Sequence, residues 1–196
     1  MEKTLEATVV GGFVIAPPWE NVEDGGIVIR IEPNMAFGTG THETTQLCVT
    51  AIKENFVPGQ SFMDVGTGTG ILVIAAAKLT ADSGAFARFF ACDTDVGSIA
   101  IAKQNGELNG VGTMIDFQIG PISDSTPVFD FVCANLTIDV ILPILHLLLQ
   151  KTARTLVLSG ILVEQEEMIV SALMENQIKN FTIERQGEWI AVTIEK

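Results

Sequence analysis

The chain has 196 residues, 47% of them hydrophobic, which suits one folded domain with a sizeable core and excludes a disordered protein. Its net charge of −13 would repel phosphate backbones, so we expect no direct nucleic-acid binding. The same charge would attract a basic protein or simply keep the chain in solution, and it does not decide between these two.

The predicted elements alternate between strands and helices along the chain. After a lead-in or linker over residues 1–26, strands are predicted at 27–32, 61–65, 88–92, 114–118, 129–134, 154–159, 180–186 and 188–194. Helices are predicted between them at 41–55, 70–79, 96–109, 140–151 and 163–177. The last two strands meet at Gly187 as a hairpin.

This alternation predicts an α/β fold, a doubly wound and mainly parallel sheet covered by helices on both faces, in one domain over residues 1–196. The terminal hairpin adds an antiparallel strand. Ligands in such sheets bind where the parallel strands end, so function is expected just after four residues: Val65, Cys92, Gln118 and Ala134.

One apolar stretch, residues 131–149, has the length of a membrane-spanning helix. It holds four residues that are costly in hydrocarbon: Asn135, Asp139, Pro143 and His146. We therefore predict a buried strand followed by a core helix, and no membrane association. The start of the chain lacks a basic region followed by an apolar one, so we expect no secretory signal and a cytoplasmic protein.

Three cysteines lie far apart in the sequence, at Cys48, Cys92 and Cys133. No pair of them has the spacing of metal ligands or of a redox motif. We predict buried, reduced thiols, and we expect no metal site.

The first candidate site is the glycine-rich turn at residues 64–70, DVGTGTG. Its glycines allow a tight turn and let a ligand touch backbone, with Gly66, Thr67 and Gly68 in direct reach. The dinucleotide pattern G-x-G-x-x-G would need Gly or Ala at Ile71, which argues against an NAD-dependent oxidoreductase. Asp64 would disfavour a pyrophosphate and suit a ligand with an ammonium and a sulfonium group. The alternative is a strand–helix corner without a ligand.

Asp93 and Asn135 end the next two candidate strands. A carboxylate at Asp93 could accept hydrogen bonds from both ribose hydroxyls, whereas Asp95 is expected to cap the following helix. Asp93 follows Gly66 by 27 positions, more than the usual distance of about 20, and the excess is expected to be a loop insertion at 80–88. The carbonyl oxygen of Asn135 could accept a hydrogen bond from an amine nucleophile, and the alternative is a helix cap.

A loop rich in hydroxyl groups and glycine, residues 37–45, precedes the first helix. Its chemistry alone is typical of a lid or a helix cap. His42 in this loop is expected to be an ordinary capping or surface histidine.

Four segments together resemble the ribosomal protein L11 methyltransferase family. They are residues 37–48 (FGTGTHETTQLC), 64–75 (DVGTGTGILVIA), 134–136 (ANL) and 159–162 (SGIL), and the segment 187–189 (GEW) is similar to the family's final strand. The resemblance covers nearly the whole chain from about Phe13. The segment 37–48 is more specific than the glycine turn.

The resemblance implies a seven-stranded methyltransferase fold with S-adenosylmethionine as methyl donor. It implies donor contacts from Thr45, Gly66, Asp93 and Asn135, and a threonine-rich loop that closes over the donor near Thr41 and His42. Its acceptors would be lysine side chains and an amino terminus of a large-subunit ribosomal protein. The family usually carries an N-terminal domain that grips this protein. Because this chain begins near the catalytic domain, it is expected to be a truncated member or a natural short relative.

The expected mechanism is direct displacement at the methyl carbon, with Asn135 as the catalytic residue that orients the amine. No metal and no covalent intermediate are expected, and no residue is marked as a general base. Three alternatives stay open at this point. The acceptor could be a small molecule or another protein lysine, or the chain could be a binding module without turnover.

Overall fold

The computed structural model describes residues 7–22, 26–32 and 42–196. Within these ranges the strands are β1 (Thr8–Val10), β2 (Phe13–Ala16), β3 (Ile27–Arg30), β4 (Phe62–Val65), β5 (Phe89–Asp93), β6 (Ile115–Ile119), β7 (Phe129–Asn135), β8 (Thr152–Leu162), β9 (Phe181–Gln186) and β10 (Trp189–Glu195). The α-helices are α1 (Glu43–Asn55), α2 (Ile71–Ser83), α3 (Val96–Leu108), α4 (Ile138–Gln150) and α5 (Glu166–Glu175).

Seven strands form the main sheet, in the order β6-β5-β4-β7-β8-β10-β9. Neighbours from β6 to β8 are parallel, whereas β10 is antiparallel to both β8 and β9. The predicted doubly wound, seven-stranded sheet with its C-terminal hairpin is therefore confirmed. Because β5 and β6 lie on one side of β4 and β7 lies on the other, the strand order reverses at β4. A ligand crevice is expected at such a reversal.

Two hydrophobic cores lie on opposite faces of the main sheet. In β7, Phe131 and Cys133 pack in the core that contains α1 and α2, whereas Val132 and Ala134 pack in the core that contains α4 and α5. This alternation follows the two-residue period of a strand. Because both faces are covered, the central strands are apolar along their length.

The segment expected to be a lead-in, residues 1–26, is not a plain linker where the structure describes it. It contains β1 and β2, and β2 pairs with β3 to give a separate three-stranded sheet. Phe13 and Ile15 of β2 are buried in the same core as α1 and α2. Both strands are too short to show a periodic pattern in the sequence, because they have only three and four residues and are separated by Gly11 and Gly12.

Two expected boundaries change. The insertion expected at residues 80–88 is partly helical, since α2 continues to Ser83 and ends at Gly84 with a φ of 70°. The helix expected at 163–177 is divided into a 3-10 turn, Val163–Gln165, and α5.

The apolar stretch 131–149 forms the end of β7 followed by α4, as predicted. In the part of the chain that the structure describes, no helix combines the length and the apolar character needed to cross a membrane. The three cysteines are buried and form no disulfide, which also agrees with the prediction.

Candidate active site

Three of the predicted site residues lie at one edge of the main sheet, where its parallel strands end. Gly66 directly follows β4, Asp93 is the last residue of β5, and Asn135 is the last residue of β7. Val65 is paired with Cys92 on one side and with Ala134 on the other, so the three strands end level. The edge therefore brings together residues that are far apart in the sequence.

The turn after β4 is held by backbone hydrogen bonds. The N–H groups of Gly66 and Thr67 both donate to the carbonyl oxygen of Cys92, over 2.9 and 3.0 Å. Gly66, Gly68 and Gly70 have φ values of 74°, 54° and 83°, in the left-handed region that favours glycine. Because α2 begins directly after Gly70, its first N–H groups face the same edge and can bind a ligand.

Asp64 and Thr67 are bonded to each other beneath this turn. Thr67 Oγ1 donates to Asp64 Oδ2 over 2.7 Å, and Thr67 and Asp64 are only 5% and 1% exposed. Burial raises the pKa of Asp64 to about 7, although hydrogen bonds from Thr67 and the Val73 amide lower it in part. The expectation that the Asp64 carboxylate suits a cationic ligand stays a prediction. In the described structure Asp64 supports the turn from below through its bond to Thr67. Because the Thr67 hydroxyl is used in this bond, Thr67 can offer a ligand only its backbone.

The carboxylate of Asp93 is fixed by two backbone groups. Its Oδ2 accepts the N–H of Gly68 over 3.0 Å, and its Oδ1 accepts the N–H of Asp95 over 2.9 Å. Asp95 caps α3 as predicted, because its side chain accepts the N–H of Ser98 over 2.7 Å. Each oxygen of Asp93 can accept a further hydrogen bond, so this half-buried group could hold a pair of hydroxyls.

Asn135 presents one unsatisfied oxygen at the end of β7. Its Nδ2 donates to Thr44 Oγ1 over 3.2 Å, whereas Oδ1 is buried and has no hydrogen-bond partner among the described residues. The alternative role as a helix cap is wrong, because Thr137 is the N-cap of α4. A buried carbonyl oxygen without a partner costs free energy unless a ligand supplies the hydrogen bond.

Thr45 lies in the first turn of α1 and is fully buried, and its Oγ1 has no partner among the described residues either. His42 is the N-cap of α1, as expected, since its side chain accepts the N–H of Thr44. The rest of the predicted lid, including Thr41, falls in residues 33–41, outside the described residues.

The close packing around Leu136 escaped the sequence analysis. A Cβ on Gly66 would lie 2.3 Å from Cδ2 of Leu136, and a Cβ on Gly160 would lie 2.4 Å from the Leu136 carbonyl oxygen. The N–H of Leu136 also donates to the carbonyl oxygen of Ser159 over 3.0 Å. The segment 159–162 was the available signal. That this segment marks a close approach of β8 to the backbone after β7 could be seen only in the folded structure.

A cavity opens between the ends of β5 and β6, at the position expected from Gln118. The wall of this cavity is next to the site, because the N–H of Gly120 in the wall donates to the carbonyl oxygen of Asp93 over 2.8 Å. The lining includes Cys92, Gln118, Ile119, Gly120, Pro121 and Ser123. Within the described ranges, no three His, Cys, Asp or Glu side chains are grouped as metal ligands.

The comparisons with known proteins show the family to which this chain belongs. The family model described as Ribosomal protein L11 methyltransferase matches residues 2–196. The protein of that name from Desulforapulum autotrophicum is 42% identical over 191 residues, which cover 93% of this chain and 61% of that protein. A crystal structure of a ribosomal protein L11 methylase from Lactobacillus delbrueckii subsp. bulgaricus has a TM-score of 0.87 at 32% identity, covering 98% of this chain and 99% of that chain.

A more distant structure shares only the fold. It is the N-terminal domain of human METTL16 in complex with SAH, with a TM-score of 0.63 at 16% identity, covering 85% of this chain and 75% of that chain. The sheet order and the site at its edge define a class I methyltransferase fold. The chain belongs to the ribosomal protein L11 methyltransferase family. This membership excludes the dinucleotide-dependent oxidoreductase. The chain spans about three fifths of the length of the curated relatives it matches.

Proposed function

We propose that this chain binds S-adenosylmethionine along the edge of the main sheet and transfers methyl groups to amino groups of a ribosomal protein. The observation that carries the proposal is a pair of buried oxygens, Thr45 Oγ1 and Asn135 Oδ1, that have no hydrogen-bond partner in the part of the chain that the structure describes. They lie on α1 and at the end of β7, which the Thr44–Asn135 hydrogen bond joins. Since buried polar atoms are normally hydrogen-bonded, this pair supports a polar ligand between the two elements.

The strand order supports one orientation of the bound donor along the edge of the main sheet. If Asp93 at the end of β5 holds the ribose hydroxyls and Asn135 at the end of β7 is near the methyl group, the methionine part crosses the turn after β4. The adenine base must then extend the opposite way, toward β6. The cavity beside Gln118 and Gly120 is on that side, so we assign the base to it.

Different residues of the site would bind different parts of the donor. The backbone carbonyl groups of Gly66, Thr67 and Gly68 would receive the methionine part, because their N–H groups already donate to Cys92 and Asp93. Thr45 would be an additional contact. Asp93 would bind the ribose through its remaining lone pairs. When bound, S-adenosylmethionine supplies a methyl group on a sulfonium sulfur, which departs as a neutral thioether.

Asn135 would act on the acceptor. A neutral amine must point its lone pair at the methyl carbon, and a carboxamide oxygen that accepts an amine N–H fixes this direction. A protonated acceptor amine first loses one proton to water, which leaves the neutral nucleophile. The new bond then joins nitrogen to carbon as the carbon–sulfur bond breaks, and the positive charge passes from sulfur to nitrogen. No described residue needs to take up the proton.

Acidic residues beyond the end of β8 favour a basic acceptor. Glu164 and Glu188 line a hollow with Leu162 and Gly187. Leu162 is paired with Trp189, and Ser159 is paired with Asn135, so the hollow lies at the same edge as the site. These carboxylates and the net charge of −13 would attract a protonated lysine or amino terminus. The relatives are named for ribosomal protein L11, which we propose as the acceptor, in the cytoplasm where ribosomes assemble.

The test is transfer of labelled methyl groups. The purified chain is incubated with labelled S-adenosylmethionine and purified ribosomal protein L11, and mass spectrometry locates the label. We expect methylated lysine side chains or a methylated amino terminus. Ribosomal protein L11 with acetylated amino groups is the matched control and should take up no label.

A whole-cell lysate in place of the purified acceptor separates the alternatives. Label in a small molecule or in another protein would assign a different acceptor to the same site. Normal donor binding with no labelled species would instead indicate a binding module without turnover.

A further inference from the structure

A continuous chain of contacts leads from Trp189 to the predicted catalytic amide. The ring of Trp189 packs edge-on against the His42 ring, with centroids 5.1 Å apart and an interplanar angle of 64°. His42 Nδ1 is 2.9 Å from Thr44 Oγ1, which in turn accepts Asn135 Nδ2 at 3.2 Å. Three separate elements, β10, the start of α1 and β7, thus converge on one amide group.

The direction of these hydrogen bonds follows from the helix cap. His42 Nδ1 accepts the backbone N–H of Thr44 over 3.3 Å, so this nitrogen carries no hydrogen. The hydroxyl of Thr44 must therefore donate to His42 Nδ1. Its oxygen is left as an acceptor, and an acceptor selects the NH₂ end of the Asn135 carboxamide. The Oδ1 end then points away from Thr44, and it is the atom without a partner among the described residues.

We propose that Thr44 and His42 are positioning residues that orient the Asn135 carboxamide so that its oxygen faces the acceptor amine. The inference rests on the proposed function, because the orientation matters only if an amine is the nucleophile. Trp189 supports the orientation by holding the His42 ring in place.

The two orientations of a carboxamide have opposite chemistry. With Oδ1 toward the acceptor, Asn135 accepts an amine N–H and the nitrogen lone pair stays free to attack. With Nδ2 toward the acceptor, the amide donates to that lone pair and blocks it. If His42 Nδ1 carried the hydrogen, it would donate to Thr44, and the Thr44 hydroxyl could donate to Oδ1. The amide would then be turned the wrong way.

The kinetic test removes the hydroxyl that selects the amide orientation. In Thr44→Val we expect kcat to fall by roughly tenfold to a hundredfold, because loss of positioning at a reacting group costs rates of this order. Affinity for S-adenosylhomocysteine, measured by calorimetry, should be unchanged. Thr44→Ser keeps a hydroxyl and should restore most of the rate.

Thr152→Val is the matched control, since Thr152 is a buried threonine whose hydroxyl donates to the Leu148 carbonyl oxygen, at the other end of β8. It should lose stability with no change in kcat. If Thr44→Val keeps the wild-type kcat, or loses donor affinity in the same proportion as kcat, Thr44 only joins α1 to β7 and the proposal is wrong.

A second measurement does not depend on turnover. The chain has two histidines, and a His146→Gln variant assigns their signals, because His146 lies on the exposed side of α4. We expect the nitrogen NMR spectrum at mildly alkaline pH to show His42 Nδ1 without hydrogen and Nε2 with it. The opposite tautomer would overturn the proposal. If ribosomal protein L11 takes up no methyl group, the proposed acceptor is wrong, but this spectrum still decides the orientation.

Discussion

The backbone N–H of Gly68 donates to Oδ2 of Asp93 over 3.0 Å, which couples the glycine turn after β4 to the acidic residue at the end of β5. The two groups are 25 positions apart in the sequence. Because one carboxylate both holds the turn and is assigned to the ribose, the donor site is a single unit.

Asp93→Ala should weaken donor binding by roughly tenfold to a hundredfold, since hydrogen bonds to a charged acceptor contribute about 1.5–3 kcal/mol. Calorimetry with S-adenosylhomocysteine measures the change in Kd. Asp95→Ala is the control. It removes the cap of α3 and should lower the free energy of unfolding by about 1 kcal/mol without changing the affinity for the donor. Equal donor affinity in Asp93→Ala and the wild type would contradict the ribose assignment.

Asn135→Ala should lower kcat by about a hundredfold, because the oxygen that orients the acceptor amine is lost. The fall in kcat should exceed any change in donor Kd, which separates orientation of the acceptor from binding of the donor. Steady-state methyl transfer together with calorimetry tests both. Full turnover in this variant would show that the amide has no part in the reaction.

Gly66→Ala should destabilise the fold by more than Gly84→Ala does. Both glycines have a left-handed φ, at 74° and 70°, so both substitutions carry a backbone strain of roughly 1–2 kcal/mol. Only Gly66 faces a neighbour, because its Cβ would lie 2.3 Å from Leu136, whereas nothing lies within 4 Å of a Cβ on Gly84. The clash should add about 1–3 kcal/mol, which urea denaturation measures.

Leu136→Ala combined with Gly66→Ala should recover part of this additional loss, because the smaller side chain makes room for the new methyl group. A double-mutant cycle gives the coupling between the two positions. If the changes in the free energy of unfolding are additive, Leu136 does not clash with the new methyl group at position 66.

Asp64→Asn should change how stability depends on pH. Burial raises the pKa of Asp64 from 3.8 to about 7, so the native protein keeps a proton that the unfolded chain loses near pH 3.8. The stability from this group is present at low pH and is lost as the pH rises toward about 7. The carboxamide of the variant cannot titrate, so its free energy of unfolding relative to wild type should increase by up to roughly 3 kcal/mol from about pH 5 to about pH 8. Parallel pH curves for the two proteins would show that Asp64 ionises normally.

Periodicity predicted the main sheet well because each of its elements carries a local signal. The apolar runs of β4 and β7 and the glycines after β4 can be recognised without any partner strand. The short strands β1 and β2 carry no such signal. They are stable because β2 pairs with β3 and buries Phe13 in a core shared with α1 and α2.

In the candidate site, too, some features have a local signal in the sequence and others do not. Asp93 could be located because it is the polar residue that ends an apolar strand. The burial of Asp64 could not be predicted from the sequence, because its position beside the glycine turn is equally compatible with a side chain that faces a ligand. Only the packing of α2 and the bond to Thr67 show that it points inward.

The sequence by itself determined the class of fold, the family and the turn where a donor would contact backbone, because these depend on local patterns of residues. The tertiary structure alone decided which side chains complete the site. Thr44 and Asn135 are 91 positions apart and share a hydrogen bond, and Leu136, directly after the end of β7, covers Gly66. Contacts of this kind arise when helices and strands pack, since their geometry is set by the whole sheet and not by the residues next to them in the chain.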